Sequence, residues 1–304
     1  MIVSDGVLHG VRLAVGDVAP RFRLPDARGG EVTLDSFAAS ATVVVFTANG
    51  CPYALAWHDR IQQVARDYAD QGAVLIQVVG NDETGHPEDS LESMRKRVAN
   101  AEIAGPYLRD ADQEAVAAYG ATATPEVFVL DRQGVLRYHG APDADHDDPA
   151  ESARWIRDAL DDVLAGSPVR RPRTSPAGCS TKWRVELLWW QGCPSHEQAA
   201  ELLNSSLAEL NRGDVAVVRR EVTSGEEASR LKFPGSPTFQ VGRRDLFPGD
   251  ATPALTCRIY HGPDGRVSPL PDRAELITRL REALARPWDL PGWVDPGKHA
   301  TETS

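Results

Sequence analysis

One punctuation pattern occurs twice in this 304-residue chain, and it constrains the fold more than any other feature. Gly50-Cys51-Pro52 follows a β-branched run, Thr42–Phe46, and precedes an amphipathic stretch, Ala54–Tyr68. Gly192-Cys193-Pro194 likewise follows Arg184–Trp190 and precedes Glu197–Leu210. Each is answered downstream by a small hydroxyl residue before proline at the start of a strand, Thr124-Pro125 and Ser236-Pro237. Two stretches with the same punctuation in the same order imply two domains of one plan. The length agrees, at roughly 100–200 residues per domain.

Periodicity fills in that plan. Thr42–Phe46 and Ala73–Val79 read as strands buried on both faces. Trp57, Ile61, Val64 and Tyr68 fall on one helical stripe. Leu91–Val98 and Gln113–Tyr119 predict helices, and Glu126–Leu130 with Val135–Tyr138 a hairpin. Ala150–Leu164 predicts a closing amphipathic helix. The second half repeats the order in shorter form, with strands at Val215–Val222, Thr238–Val241 and Cys257–His261 and helices at Glu226–Leu231 and Arg273–Leu284. Strands alternating with helices predict an α/β fold with a largely parallel central sheet, to which each hairpin adds antiparallel strands.

The boundaries follow from composition: a first domain over 1–165, a linker over 166–182, a second domain over 183–285 and a polar tail over 286–304. The linker carries four basic residues and no acidic ones, with prolines and no apolar period, which predicts exposure. Charge also narrows the function. The net charge is -11, and residues 1–165 alone hold 14 Lys/Arg against 27 Asp/Glu. Such a surface excludes a general nucleic-acid binder or a partner of anionic membrane. No apolar run approaches the length of a membrane span, and the first residues lack the basic and apolar regions of a secretory signal. Four separated cysteines do not make a disulfide scaffold, so a reducing, cytoplasmic location is expected. No glycine loop for phosphates and no dinucleotide fingerprint is present, so no cofactor is expected.

Chemistry centres on Cys51 and Cys193. A cysteine at the first turn of a helix faces unpaired N–H groups and the positive end of the helix dipole, and both favour thiolate. Proline next to it suits a helix start. A cis proline beside the cysteine would leave the backbone of Thr124 or Ser236 free to pair with an extended thiol-bearing substrate.

These residues resemble the thioredoxin fold in both halves: two tandem thioredoxin-like domains, each a central mixed sheet flanked by helices. Residues 15–140 more specifically resemble the redoxin group, of the alkyl hydroperoxide reductase/thiol-specific antioxidant type. Val15-Gly16-Asp17-Val18-Ala19-Pro20, Leu24-Pro25-Asp26, Phe46–Tyr53, Asn81-Asp82, His86–Asp89, Pro106-Tyr107-Leu108 and Ala123-Thr124-Pro125 carry that resemblance. Gly192-Cys193-Pro194, Phe233–Thr238 and Cys257–Tyr260 are similar to small bacterial thioredoxin-like domains. The resemblance implies catalytic Cys51 and Cys193, with Pro52, Tyr53, Thr124, Pro125, Ser236 and Pro237 at the substrate.

The chain departs from the family pattern at telling places. Ala54 stands where Cys-Pro-Tyr-Cys motifs hold a resolving cysteine, and Ala48 stands where many relatives carry another. Thr47 lies four residues before Cys51 rather than the three of peroxiredoxins, and Val44 replaces their proline. Cys193-Pro194-Ser195-His196 again lacks a second cysteine. A dithiol cycle within either motif is excluded, which leaves monothiol chemistry or exchange between cysteines distant in sequence.

The remaining candidates have plainer readings. Cys257 is expected in a core strand, Cys179 exposed and incidental in the linker, and Trp57 in the core. His196 is either a base for Cys193 or an ordinary first-turn residue. The acidic loop Asp143–Asp148 is expected to be solvated and to cap a helix rather than bind metal. The expected function is a thiol-dependent oxidoreductase using a small-molecule thiol or disulfide, with a protein thiol as reductant and Cys193 resolving Cys51. The alternatives are a one-cysteine peroxidase acting on peroxide and a redox-silent binding module.

Overall fold

In the computed structural model, residues 13–284 are described except 214 and 216. They form two compact units, one of residues 13–111 with 115–181 and one of 112–114 with 182–284. The predicted tail over 286–304 lies outside the described residues.

The first unit opens with a short hairpin, β1 (Arg23–Pro25) and β2 (Glu31–Thr33). Its main elements follow as β3 (Ala41–Thr47), α1 (Pro52–Ala69), β4 (Ala73–Val79), α2 (Leu91–Ala99), β5 (Tyr107–Arg109) and α3 (Glu114–Tyr119). Then come β6 (Ala123–Thr124), β7 (Glu126–Asp131), β8 (Leu136–Gly140), α4 (Arg154–Leu164) and β9 (Cys179–Ser180). The five-stranded sheet runs β5-β4-β3-β7-β8, parallel from β5 to β3 and antiparallel from β3 to β8. The sheet is therefore mixed, because the hairpin contributes half of its pairings.

All seven residues of β3 are buried, which is why its sequence is a continuous β-branched run rather than an alternating one. Val43, Val45, Val127 and Val129 meet Trp57, Ile61 and Val64 of α1 and Ile156 and Leu160 of α4 on one face. On the other face Phe46, Phe128 and Tyr119 pack edge to face at 5.2–5.6 Å between centroids. Met94, Val79 and Tyr107 form a smaller cluster. The closing helix starts four residues later than its periodicity predicts. Ser152 and Ala153 take left-handed φ after a short 3₁₀ turn capped by Asp148.

The second unit repeats the order with β10 (Val185–Trp189), α5 (His196–Glu209), β11 (Val217–Glu221), α6 (Gly225–Arg230), β12 (Thr238–Val241) and β13 (Arg244–Asp245). A small pair, β14 (Tyr260–His261) with β15 (Val267–Ser268), and α7 (Arg273–Ala283) complete it. Its sheet runs β11-β10-β12-β13, parallel only between β10 and β11. The strand expected over Cys257–His261 shrinks to Tyr260–His261, with Cys257 in a single bridge to Ser236. Cys257 is exposed rather than in the core, because its segment makes only that one parallel bridge and adds no strand to the sheet.

The stretch read as a linker divides in two. Residues 170–173 are exposed, whereas 174–180 are half-buried or buried against the first unit. Thr174 N–H donates to His139 O at 3.1 Å, the Tyr138 hydroxyl and Thr174 Oγ1 are 2.8 Å apart, and Thr181 N–H donates to Thr122 O at 2.9 Å. A polar, proline-bearing segment thus satisfies its backbone on a sheet edge, which residue composition does not announce.

Candidate active site around Cys51

Cys51 is the N-cap of α1, in extended conformation, with Pro52 at the first helical position. The loop before it is clamped by side chains. Asn49 N–H donates to Asp89 Oδ1 at 2.5 Å and Asn49 Nδ2 to Glu88 O at 2.6 Å. Asn49 Oδ1 accepts from Arg97 at 2.7 Å and from the Tyr107 hydroxyl. Asn81 donates to the other oxygen of Asp89 at 2.9 Å, while burial pushes the Asp89 carboxyl up. Glu88, Asp89 and Asn81 belong to stretches that carried the family resemblance, and their use here is to hold the turn that presents the sulfur.

The Thr124–Pro125 and Ser236–Pro237 peptide bonds are both cis. Cys51 Sγ–H donates to the carbonyl of Thr124 at 2.9 Å, so sulfur and proline loop are in direct contact. Behind the loop, the buried Glu126 carboxylate accepts from the N–H groups of Thr122 (2.7 Å) and Ala123 (2.9 Å) and meets His139 Nε2 at 2.6 Å. The two residues that precede Thr124-Pro125, Thr122 and Ala123, are thus held by the buried Glu126 side chain. Glu126 and His139 were not singled out by sequence. The only signal was a glutamate at a position otherwise reading as core strand.

Cys179 reverses the sequence expectation. It is half-buried, not exposed, and it pairs antiparallel with Thr124, with Ser180 opposite Ala123. The backbone edge that was expected to be free for substrate is occupied by the chain itself. Cys179 also packs against the small apolar cluster of Ala48, Cys51 and Ala54. Gly178 makes this approach feasible. Its φ is +155°, and a Cβ there would lie 2.2 Å from Thr124 O and 2.7 Å from its carbonyl carbon. Only a residue without a side chain fits.

The electrostatics follow from this seating. Cys51 is pulled down from 9.0 to about 6, first by the hydrogen bond from the Cys179 side chain, against the opposing cost of burial. The Thr124 hydroxyl and the amides of Ala54 and Cys179 add to the stabilisation. Donors gathered around a sulfur favour its charged form, whereas the S–H bond to Thr124 O belongs to the protonated form. Cys51 itself is only 4% exposed.

The other expected site residues are placed as follows. Pro52 is exposed and Pro125 buried, while Tyr53 is half-buried with its ring 4.5 Å from that of His146. Trp57 is buried at 1% exposure, and its Nε1 donates to Asp143, which also binds Arg60 at 2.7 Å. Asp143 thus serves the core, where burial pushes its carboxyl up, rather than lying in a solvated loop. In the second unit Cys193 is buried, but it precedes the Ser195 N-cap of α5 by two residues instead of occupying the cap. His196 stacks on Trp189 at 4.2 Å and its Nδ1 is 3.1 Å from Arg219. Ser236 and Pro237 are buried, and the Tyr260 hydroxyl donates to Pro237 O at 2.6 Å.

Comparison with known proteins agrees with the first unit's geometry. The AhpC/TSA family matches residues 15–139. A Mycobacterium tuberculosis protein named as a peroxiredoxin is 29% identical over 126 residues, covering 41% of this chain and 76% of that protein. A thiol:disulfide interchange protein, DsbE, of Allochromatium vinosum is 26% identical over 125 residues, 40% of this chain and 62% of its own length. Among solved structures, an uncharacterized conserved protein from Geobacillus kaustophilus is 33% identical with a TM-score of 0.54, covering 57% of this chain and 93% of its own. A hypothetical protein from Sinorhizobium meliloti is 35% identical with a TM-score of 0.53, covering 57% and 96%. Among the described residues no helix is long and apolar enough to cross a membrane. Residues 15–139, with their helix-capping cysteine and cis-proline loop on a thioredoxin fold, belong to the AhpC/TSA redoxin family.

Proposed function

We propose that the first unit is a thiol–disulfide oxidoreductase whose nucleophile is Cys51. The observation that carries this reading is the contact of the helix-capping sulfur with the Thr124 carbonyl before Pro125, in a ring of donors that holds it at about pKa 6. A thiol in that range is mostly thiolate at neutral pH and still nucleophilic enough to attack a disulfide. The attack forms a bond between Cys51 Sγ and one substrate sulfur and releases the other as a thiol. Thr124, Pro125, Pro52 and Tyr53 frame the approach. The substrates are small-molecule disulfides, with an external thiol or a protein dithiol as reductant, in a reducing compartment such as the cytoplasm.

Reduction of bis(2-hydroxyethyl) disulfide, coupled to an external dithiol, tests the reading. The wild-type chain turns it over and Cys51→Ser is reduced to background. Equal rates for the two proteins remove the proposal. The peroxidase reading draws support from the peroxiredoxin name of the Mycobacterium tuberculosis relative. It predicts Cys51-dependent consumption of hydrogen peroxide through a sulfenic acid.

A further inference from the structure

The segment 177–181 is held in the place where an extended substrate would lie. Thr124 pairs with Cys179 and Ala123 with Ser180. Thr181 N–H bonds Thr122 O at 2.9 Å, and Ala177 is buried in the main core. The segment presents a thiol to the one sulfur that caps a helix in this unit. The second unit repeats the arrangement with different residues. Ser236 N–H donates to Thr256 O and Arg258 N–H to Ser236 O, both at 2.8 Å, which puts Cys257 opposite the residue before Pro237. Twice, therefore, the edge beside a cis proline is filled by a cysteine-bearing segment of the same unit.

From this placement we infer that Cys179 is the resolving cysteine of Cys51, delivered by an intramolecular strap, 177–181, that occupies the substrate edge. The inference rests on the reading of Cys51 as nucleophile and supplies the partner that both local motifs lack. The cycle balances as follows. The Cys51 thiolate attacks a substrate disulfide, the S–S bond breaks, a Cys51–substrate mixed disulfide forms and one substrate thiolate leaves. Cys179 then gives up its proton and attacks Cys51 Sγ, forming Cys51–Cys179 and expelling the second substrate thiolate. The two protons lost by Cys51 and Cys179 end on the two substrate thiols. One disulfide is reduced and one is made, and an external dithiol reverses the latter. Since Cys51 is 4% exposed under this packing, the strap lifts from Thr124 to admit substrate and returns to resolve it. Resolution inside one unit leaves the relay through Cys193 unnecessary.

The test is a titration with an aromatic disulfide, 5,5′-dithiobis(2-nitrobenzoate), on the full chain with Cys193 and Cys257 replaced by serine so that only Cys51 and Cys179 count. The expected result is release of two aromatic thiolates per chain, no retained adduct, and a Cys51–Cys179 linked peptide after digestion. With Cys179→Ser added, one thiolate is released and the Cys51 adduct persists at least about tenfold longer. A stable Cys51 adduct in the chain that retains Cys179, with no linked peptide, overturns the inference while leaving the Cys51 reading in place. Thiolate release unaffected by Cys51→Ser overturns the Cys51 reading itself. The linked peptide is read without the Cys179 variant, so the outcome does not depend on that variant folding.

Discussion

The two cis-proline sites share a plan and differ in how tightly it is drawn. In the first unit Cys51 caps α1 and touches Thr124 O, and the covering segment forms a two-residue antiparallel pair with a half-buried Cys179. In the second, Cys193 lies two residues before the cap, the covering segment makes a single parallel bridge, and Cys257 is exposed. Besides its two backbone bonds to Ser236, that segment is held by side chains. Arg258 bonds Asp245 at 2.8 Å and Thr238 Oγ1 at 3.1 Å, and the Tyr260 hydroxyl bonds Pro237 O. The same Gly-Cys-Pro signature thus leads to two different seatings: one cysteine at the helix cap with donors brought from elsewhere in the chain, the other two residues short of the cap.

The largest expected effect tests that difference directly. Cys51→Ser abolishes disulfide reduction, while Cys193→Ser leaves turnover within about twofold, because only Cys51 occupies a helix cap. A large loss in the second variant, measured in the same coupled assay, would restore the second unit to the chemistry.

Glycine substitutions probe the covering segments. Gly178→Ala drives a Cβ into Thr124 O at 2.2 Å and is expected to cost about 1–3 kcal/mol in urea unfolding, with loss of the Cys51–Cys179 cross-link. Gly235→Ala is strained by its own φ of +134°, as Gly178→Ala is by +155°, but its Cβ meets Arg258 N and Thr256 O at 3.1 Å rather than 2.2 Å, so the steric part of its cost is less. Its expected cost is smaller. The reverse order would mean that the strap is not seated as described.

The pH dependence follows from the lowered Cys51 pKa. The thiolate's contribution to stability is complete above the ordinary thiol value near 9.0, falls as pH drops, and is gone below about 6. The stability difference between the wild-type chain and Cys51→Ala should therefore grow from pH 6 to pH 9 in equilibrium unfolding. Alkylation of Cys51 by iodoacetamide should follow the same ionisation, half-maximal near pH 6. The smallest expected effects are shifts of that midpoint. Cys179→Ala moves it upward most, and Thr124→Val moves it upward less, in the order of their hydrogen-bond contributions. A larger shift for Thr124→Val would place the main donor on the wrong residue.

Much of this is legible in the sequence. Ala73–Val79 and Thr238–Val241 are strands at their predicted bounds, and Trp57, Ile61, Val64 and Tyr68 form the buried stripe of α1. Periodicity reports burial, and burial here is organised along single elements. The late start of α4 was not legible, since two alanine- and serine-sized residues in left-handed conformation leave no apolar signature. Nor was Glu126, whose burial is tolerable only because Thr122, Ala123 and His139 satisfy it.

The amino-acid order alone determined the doubled domain plan, the family of the first domain and the sulfur that heads its first helix, because those depend on short-range spacing and side-chain type. The three-dimensional fold decided which thiol meets that sulfur. Residues 51 and 179 are far apart in the chain, and what joins them is a backbone ladder at Thr124 and a missing Cβ at Gly178. Main-chain hydrogen bonds between distant segments carry no residue code, so their pairing is settled only when the chain has closed on itself.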